Sequence, residues 1–184
     1  EGFRAAVADI TDGVVNHVNV GDSDETVPLL SDMLQYDCLM VHYSSPFGDP
    51  GILGDHLADY IDAGGTVVFS DGFLFNVHGR FKADNYSPID VSARQNEMSF
   101  GDLYRGDGST LLYEGITAFR SVRDNRDEGI SLVGNGISDG SYESGTIAAA
   151  YRPDFRVVYL NGSYCWGPKY PDRYCLGGDH PRRW

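Results

Sequence analysis

The sequence predicts an α/β domain with a mainly parallel sheet in its first half and an added β-rich second half. Two observations carry this. Residues 37–69 read strand, helix, strand, and a βαβ unit forces a parallel pair with a crossover between. Beyond residue 110 the apolar segments shorten and alternate with turn signals such as Asn135-Gly136 and Asp139-Gly140, which favour hairpins.

Taken in order, Phe3, Ala6, Val7, Ile10 and Val14 recur at helical spacing. Val15, Val18 and Val20 then predict a short strand, ended by Gly21-Asp22-Ser23-Asp24. A second helix is expected from about Thr26 to Leu34, with Pro28 in its first turn and Leu29, Leu30, Met33 and Leu34 turned inward. Asp37 to Tyr43 is a nearly continuous apolar run, the mark of a buried parallel strand. Asp49 is a good N-cap and Pro50 a good first helical residue. Leu53, Leu57, Tyr60 and Ile61 make the buried stripe, His56 faces solvent, and Gly64 or Gly65 ends the helix. Thr66 to Phe69 is the next buried strand. Residues 71–110 show little period. Short strands are then expected at Leu111–Gly115, Ile130–Val133, Thr146–Tyr151 and Arg156–Leu160.

The 184 residues suit one domain, 1–184, and an apolar fraction of 41% supports a core. Asp and Glu outnumber Lys and Arg 27 to 14, giving a net charge of −13. That balance argues against nucleic acid and against anionic membrane surfaces. No apolar run approaches the ~18 residues of a membrane span. The opening at Glu1, with Phe3, Ala5, Ala6 and Val7 close behind, reads as a trimmed product or part of something longer.

Cys165 and Cys175 flank a Gly/Pro/Tyr-rich stretch and read as a disulfide closing a loop at 162–184; closure would contribute roughly 2–3 kcal/mol. Cys38, within an apolar run, reads as a buried thiol. Three reduced thiols in a cytosolic protein is the competing reading. Two glycosylation sequons, at Asn85 and Asn161, favour an extracellular or cell-surface location.

The segments Tyr36-Asp37-Cys38-Leu39-Met40-Val41, Pro46-Phe47-Gly48-Asp49-Pro50 and Leu53 to Val68, with its Ala63-Gly64-Gly65-Thr66-Val67-Val68 close, resemble class I glutamine amidotransferase-like domains of the ThuA-like group found in bacterial-type extracellular proteins. Leu112–Phe119, Ser138-Asp139-Gly140 and Arg156–Asn161 support the resemblance. It implies a flavodoxin-like three-layer sandwich, and it implies a first strand before residue 3 and a last helix after Trp184. It also implies a Cys nucleophile on the elbow after the Gly-Gly strand, and a His and a Glu after the late strand. This chain has Phe69-Ser70-Asp71-Gly72 at the elbow and Tyr159-Leu160-Asn161-Gly162 at the late strand, so the triad is missing.

The expectation is therefore a non-catalytic structural or binding domain of a secreted protein, a subunit of an extracellular assembly. Partners would be further copies or other domains of a longer chain. The alternatives are two. One is a hydrolase acting through Ser70, with His42 or His78 as base and Asp71 orienting it. The other is a carbohydrate-binding module using Tyr164, Trp166, Tyr170, Arg173, Tyr174 and Trp184, types enriched at interfaces and able to stack on sugars. No histidine spacing suits a metal. The acidic run Asp124–Gly129 is a weak calcium candidate, because Arg126 stands where an oxygen ligand is needed. Arg105-Gly106-Asp107 reads as a polar turn.

Overall fold

A computed structural model describes residues 27–42, 48–70, 77–90, 95–96, 103–120, 127–128 and 130–162. The expected helix at 3–14, the strand at 15–20 and the loop at 162–184 beyond Gly162 lie outside those residues. Three helices are described: α1 (Leu30–Met33), α2 (Pro50–Asp62) and α3 (Gly79–Ala83). The strands are β1 (Cys38–His42), β2 (Thr66–Ser70), β3 (Gln95–Asn96), β4 (Leu103–Arg105), β5 (Ala118–Arg120), β6 (Asp127–Glu128), β7 (Ile137–Ser138), β8 (Ala149–Tyr151) and β9 (Val157–Leu160).

The architecture is α/β. Its main sheet has the order β1-β2-β9-β8-β7. β1, β2 and β9 run parallel, whereas β8 and β7 join antiparallel. Two small antiparallel pairs, β3-β6 and β4-β5, stand apart from it.

α2 forms where the sequence places it. The Asp49 carboxylate accepts from the backbone N–H of Gly51 and Ile52, each at 2.9 Å, and Pro50 opens the first turn. Leu53, Leu57, Tyr60 and Ile61 are buried, and Gly64 leaves the helix at φ +101°. The stripe packs on one face of the sheet, with Leu39 and Val41 of β1, Val67 and Phe69 of β2, and Val157 and Tyr159 of β9. The register is Leu39↔Val67↔Val157 and Val41↔Phe69↔Tyr159, so alternate residues of three strands share that face.

α3 docks on α2 by close backbone approach. A Cβ on Gly54 would fall 1.9 Å from the carbonyl oxygen of His78, and one on Gly79 (φ +55°) would meet Asp55 and the Gly51 carbonyl at 2.4 Å. Arg80 then bridges the two helices. It pairs with Asp59, with Asp62 at 2.8 Å and with Asp84 at 3.4 Å. The Tyr86 hydroxyl donates to Asp62 at 2.6 Å.

Several expectations are corrected. The helix at 26–34 is one turn, Leu30–Met33, because Leu29 is extended (ψ 147°) and no side chain caps it. Leu30 and Met33 turn inward, but Leu29 and Leu34 are exposed. Residues 111–115 are a turn, held by the buried Asp139 carboxylate, which accepts from the N–H of Leu111 and Leu112. Of Ile130–Val133 only Leu132 pairs, in a single bridge to Ile89. Asp139-Gly140 does not join β7 directly to β8; the chain between folds as a small loop bridged at Ser141↔Ile147. His56 is half-buried, its Nδ1 2.7 Å from the Pro28 carbonyl, tying the segment before α1 to α2. Cys38 is an exposed free thiol. It belongs to the sheet face that α2 does not cover.

Gly54→Ala is expected to lower stability by about 2 kcal/mol or more, since the new methyl meets backbone and cannot be accommodated by rotamer change; denaturant midpoints check this. The Asp62 carboxyl is held below the usual aspartate range, first by the Tyr86 hydroxyl and then by Arg80. A depressed folded-state pKa gives stability that is present above the unfolded aspartate value and is lost as pH falls through the folded one. Thermal unfolding followed from pH 6 downward should therefore show an acid-side loss that shrinks in Tyr86→Phe.

Candidate functional site

Two regions of the sheet are candidates: the rim where the parallel strands end, and the face opposite α2. At the rim, β1 ends in His42, β2 in Ser70 and β9 in Leu160, and the register sets His42↔Ser70↔Leu160 side by side. Ligands of open α/β sheets bind at such carboxyl ends. Among the described candidates, His42 and Ser70 are the pair the fold brings together, as backbone neighbours. Asp71 lies outside the described residues. His78 is exposed; its N–H donates to the Pro50 carbonyl at 3.0 Å, and its backbone is pressed against Gly54 of α2.

Ser70 is only 5% exposed. A nucleophile elbow works by presenting its hydroxyl to substrate, and this residue is enclosed. Leu160 and Ala149, its neighbours along the rim row, pack with a second core of Tyr104, Tyr113, Phe119 and Tyr142. Those rings stack closely: Tyr104 lies 4.7 Å from both Tyr113 and Phe119.

The residue after β9 is Asn161, fully buried. Its Nδ2 donates to the Ile147 carbonyl at 2.7 Å, and its Oδ1 accepts from the Tyr159 hydroxyl at 3.1 Å. Its N–H donates to the Ala148 carbonyl, and its own carbonyl accepts from the Tyr142 hydroxyl at 2.5 Å. This is a satisfied polar knot of the kind buried amides require. The Asn161 of the second sequon is thus buried, and a glycan on its Nδ2 would displace the bond to Ile147. Asn85 is exposed, in a left-handed turn (φ 56°) that asparagine tolerates, while the Ser87 hydroxyl of its sequon is buried and bonded to Ile89.

The second candidate is legible only in the register. Opposite α2, Met40 pairs with Val68, Val68 with Val158, Val158 with Tyr151 and Tyr151 with Ile137. These five apolar residues form one row across all five strands, about 19 Å wide at the usual strand spacing. Its ends are open, Met40 at 45% and Ile137 at 40% exposure, and its centre at Val158 is 8%. Cys38 and Thr66 lie beside it on the same face. None of these seven side chains is charged, in a chain of net charge −13. Burial, then the Asp37 carboxylate, push the Cys38 thiol pKa up.

Arg105 pairs with Glu143 at 2.8 Å, and the Asp107 carboxylate is folded back onto Ser109, which lowers its pKa. The Arg105-Gly106-Asp107 tripeptide is thus a closed turn. Among the described residues no group of three or more His, Cys, Asp or Glu could hold a metal. Of the acidic run, Asp127 and Glu128 form β6, and the rest lies outside the described residues. So do Cys165, Cys175, Tyr164, Trp166, Tyr170, Arg173, Tyr174 and Trp184. No described helix is long and apolar enough to cross a membrane. Compared with known proteins, the chain matches no protein-family model and no curated protein.

Asn161→Ala should destabilise the fold by about 1–3 kcal/mol, because Ile147 and Tyr159 each lose a buried partner. Peptide mapping of protein from a glycosylating host should find Asn161 unmodified.

Proposed function

We propose that this chain is a non-catalytic structural domain of a secreted or cell-surface protein, and that it assembles with copies of itself through the uncharged face of its main sheet. The row Met40–Val68–Val158–Tyr151–Ile137 carries this reading. The exposed ends of this row, Met40 and Ile137, are apolar, and exposed apolar surface gathered in one place marks an interaction site. Self-association is favoured by charge. Two copies at −13 repel over most of their surfaces, and a face without charge lets them meet without that cost. A twofold pairing is self-complementary, setting the Met40 end of one row against the Ile137 end of the other.

The absence of chemistry rests on the rim. Enclosure of Ser70 and full engagement of Asn161 leave the ends of β2 and β9 with structural work. That pattern agrees with a class I glutamine amidotransferase-like domain of flavodoxin-like type whose triad has been lost, the finer identity we favour. The exposed Asn85 of the first sequon and the acidic composition support an extracellular setting.

Sedimentation over about 1–100 μM should show reversible association. Met40→Glu, which sets a charge in the row without touching the α2 side, should weaken it at least tenfold. A wild-type monomer throughout that range would refute self-assembly. Turnover of an ester or amide panel that vanished in Ser70→Ala would refute the non-catalytic reading.

A further inference from the structure

We infer that the folded state of this chain depends on concentrated monovalent salt, which screens a negative charge that the protein does not neutralise itself. The first observation is the composition. Of the 27 acids 21 are Asp, and of the 14 bases 12 are Arg, so that Lys82 and Lys169 are the lysines. The balance of −13 counts every residue, so it holds whatever segment lies beside any part of the surface. Charge of one sign keeps a chain dissolved but works against its compact state. The choice of side chains suits the same setting. Aspartate carries its charge on a short stem, whereas each lysine brings a flexible four-carbon stem to the surface, apolar area that salting-out conditions drive together.

The second observation is the junction of α2 and α3. Asp55, Asp59 and Asp62 of α2, with Asp84 at the end of α3, gather around Arg80. Asp59, Asp62 and Asp84 pair with its guanidinium, the last two at 2.8 and 3.4 Å, and Asp55 accepts from its backbone N–H at 2.7 Å. Even with Lys82 of α3 counted, the junction stays negative. Along α2, Asp55 and Asp59 are four residues apart and Asp59 and Asp62 three, the spacings at which like charges destabilise a helix. Elsewhere Arg105 and Arg152 are engaged with Glu143 and Asp154, while Asp37 and Glu114 stand on exposed surface.

Distance decides the sign of the salt effect. The ion pairs are made at contact, but the repulsion acts between carboxylates spread over the whole surface. The screening length is about 10 Å at 0.1 M salt and about 3 Å at 1 M. Molar salt therefore removes the long-range repulsion and leaves much of the contact attraction. The cation acts here by screening and needs no fixed site.

Thermal unfolding of the full chain, at one protein concentration, in about 0.1 M and about 2 M KCl tests this. Tm should rise by about 10 °C or more in the concentrated salt. The double variant Asp37→Lys with Glu114→Lys reverses two exposed charges; it should raise Tm in the dilute salt and shrink the gain on adding KCl. A wild-type Tm that is unchanged or lower in the concentrated salt overturns the inference. So does a double variant whose gain equals that of wild type, because salt would then be acting on apolar burial and not on charge.

Discussion

The packing of α2 against one face of the β1-β2-β9 ladder is the constraint on which the rest of the structure depends. Leu53, Leu57, Tyr60 and Ile61 can be buried only if the strands present Leu39, Val41, Val67, Phe69, Val157 and Tyr159 to them. Strand side chains alternate, so committing those residues to the core sends Cys38, Met40, Thr66, Val68, Val158 and Tyr151 to the other side. The uncharged row is thus a direct consequence of the core. A one-residue slip in register would exchange the two faces and bury the wrong set.

The same geometry encloses Ser70 and Asn161 at the rim. β9 sits directly beside β2, with Leu160 next to Ser70 at the end of the ladder. The Asn161 knot ties that exit to Ile147 and Ala148 on the loop before β8. The aromatic core around Tyr104 closes over Leu160 and Ala149. Among the described residues, this part of the rim is packed. On the opposite side of the fold, Arg80 and its carboxylate partners fix α3 to α2 at a largely exposed surface, where ion pairs contribute modestly and the glycine contacts carry the docking.

The first half of the fold was legible in sequence because its signals are local. Asp49-Pro50, the stripe of α2 and the glycines after it specify one helix between two apolar runs, and each appears within a residue or two of its expected place. The second half was less so. Leu111–Gly115 is apolar enough for a strand, yet its shape is set by Asp139, 28 residues from Leu111, whose role no local pattern announces. Leu29 and Leu34 have the right spacing for an inward stripe, but a single turn has no second turn to fix that face. The burial of Asn161 was hidden behind a tripeptide that resembles a surface motif. Most consequential, the uncharged row joins five strands in an order that differs from chain order, and the register reveals it. The alternation of Cys38 and Met40 with Leu39 and Val41 was the sequence signal for its first strand.

The proposed self-association runs through the uncharged row of the main sheet. Cys38 lies on the face of that row, two residues before Met40 in its strand, and so reports on whether the face is covered. The most direct measurement is the alkylation rate of Cys38, read on its own peptide by mass spectrometry, across a range of protein concentrations. Self-association through the face predicts that the rate falls as concentration rises and recovers in Met40→Glu. A rate independent of concentration, and equal in the two proteins, would contradict it.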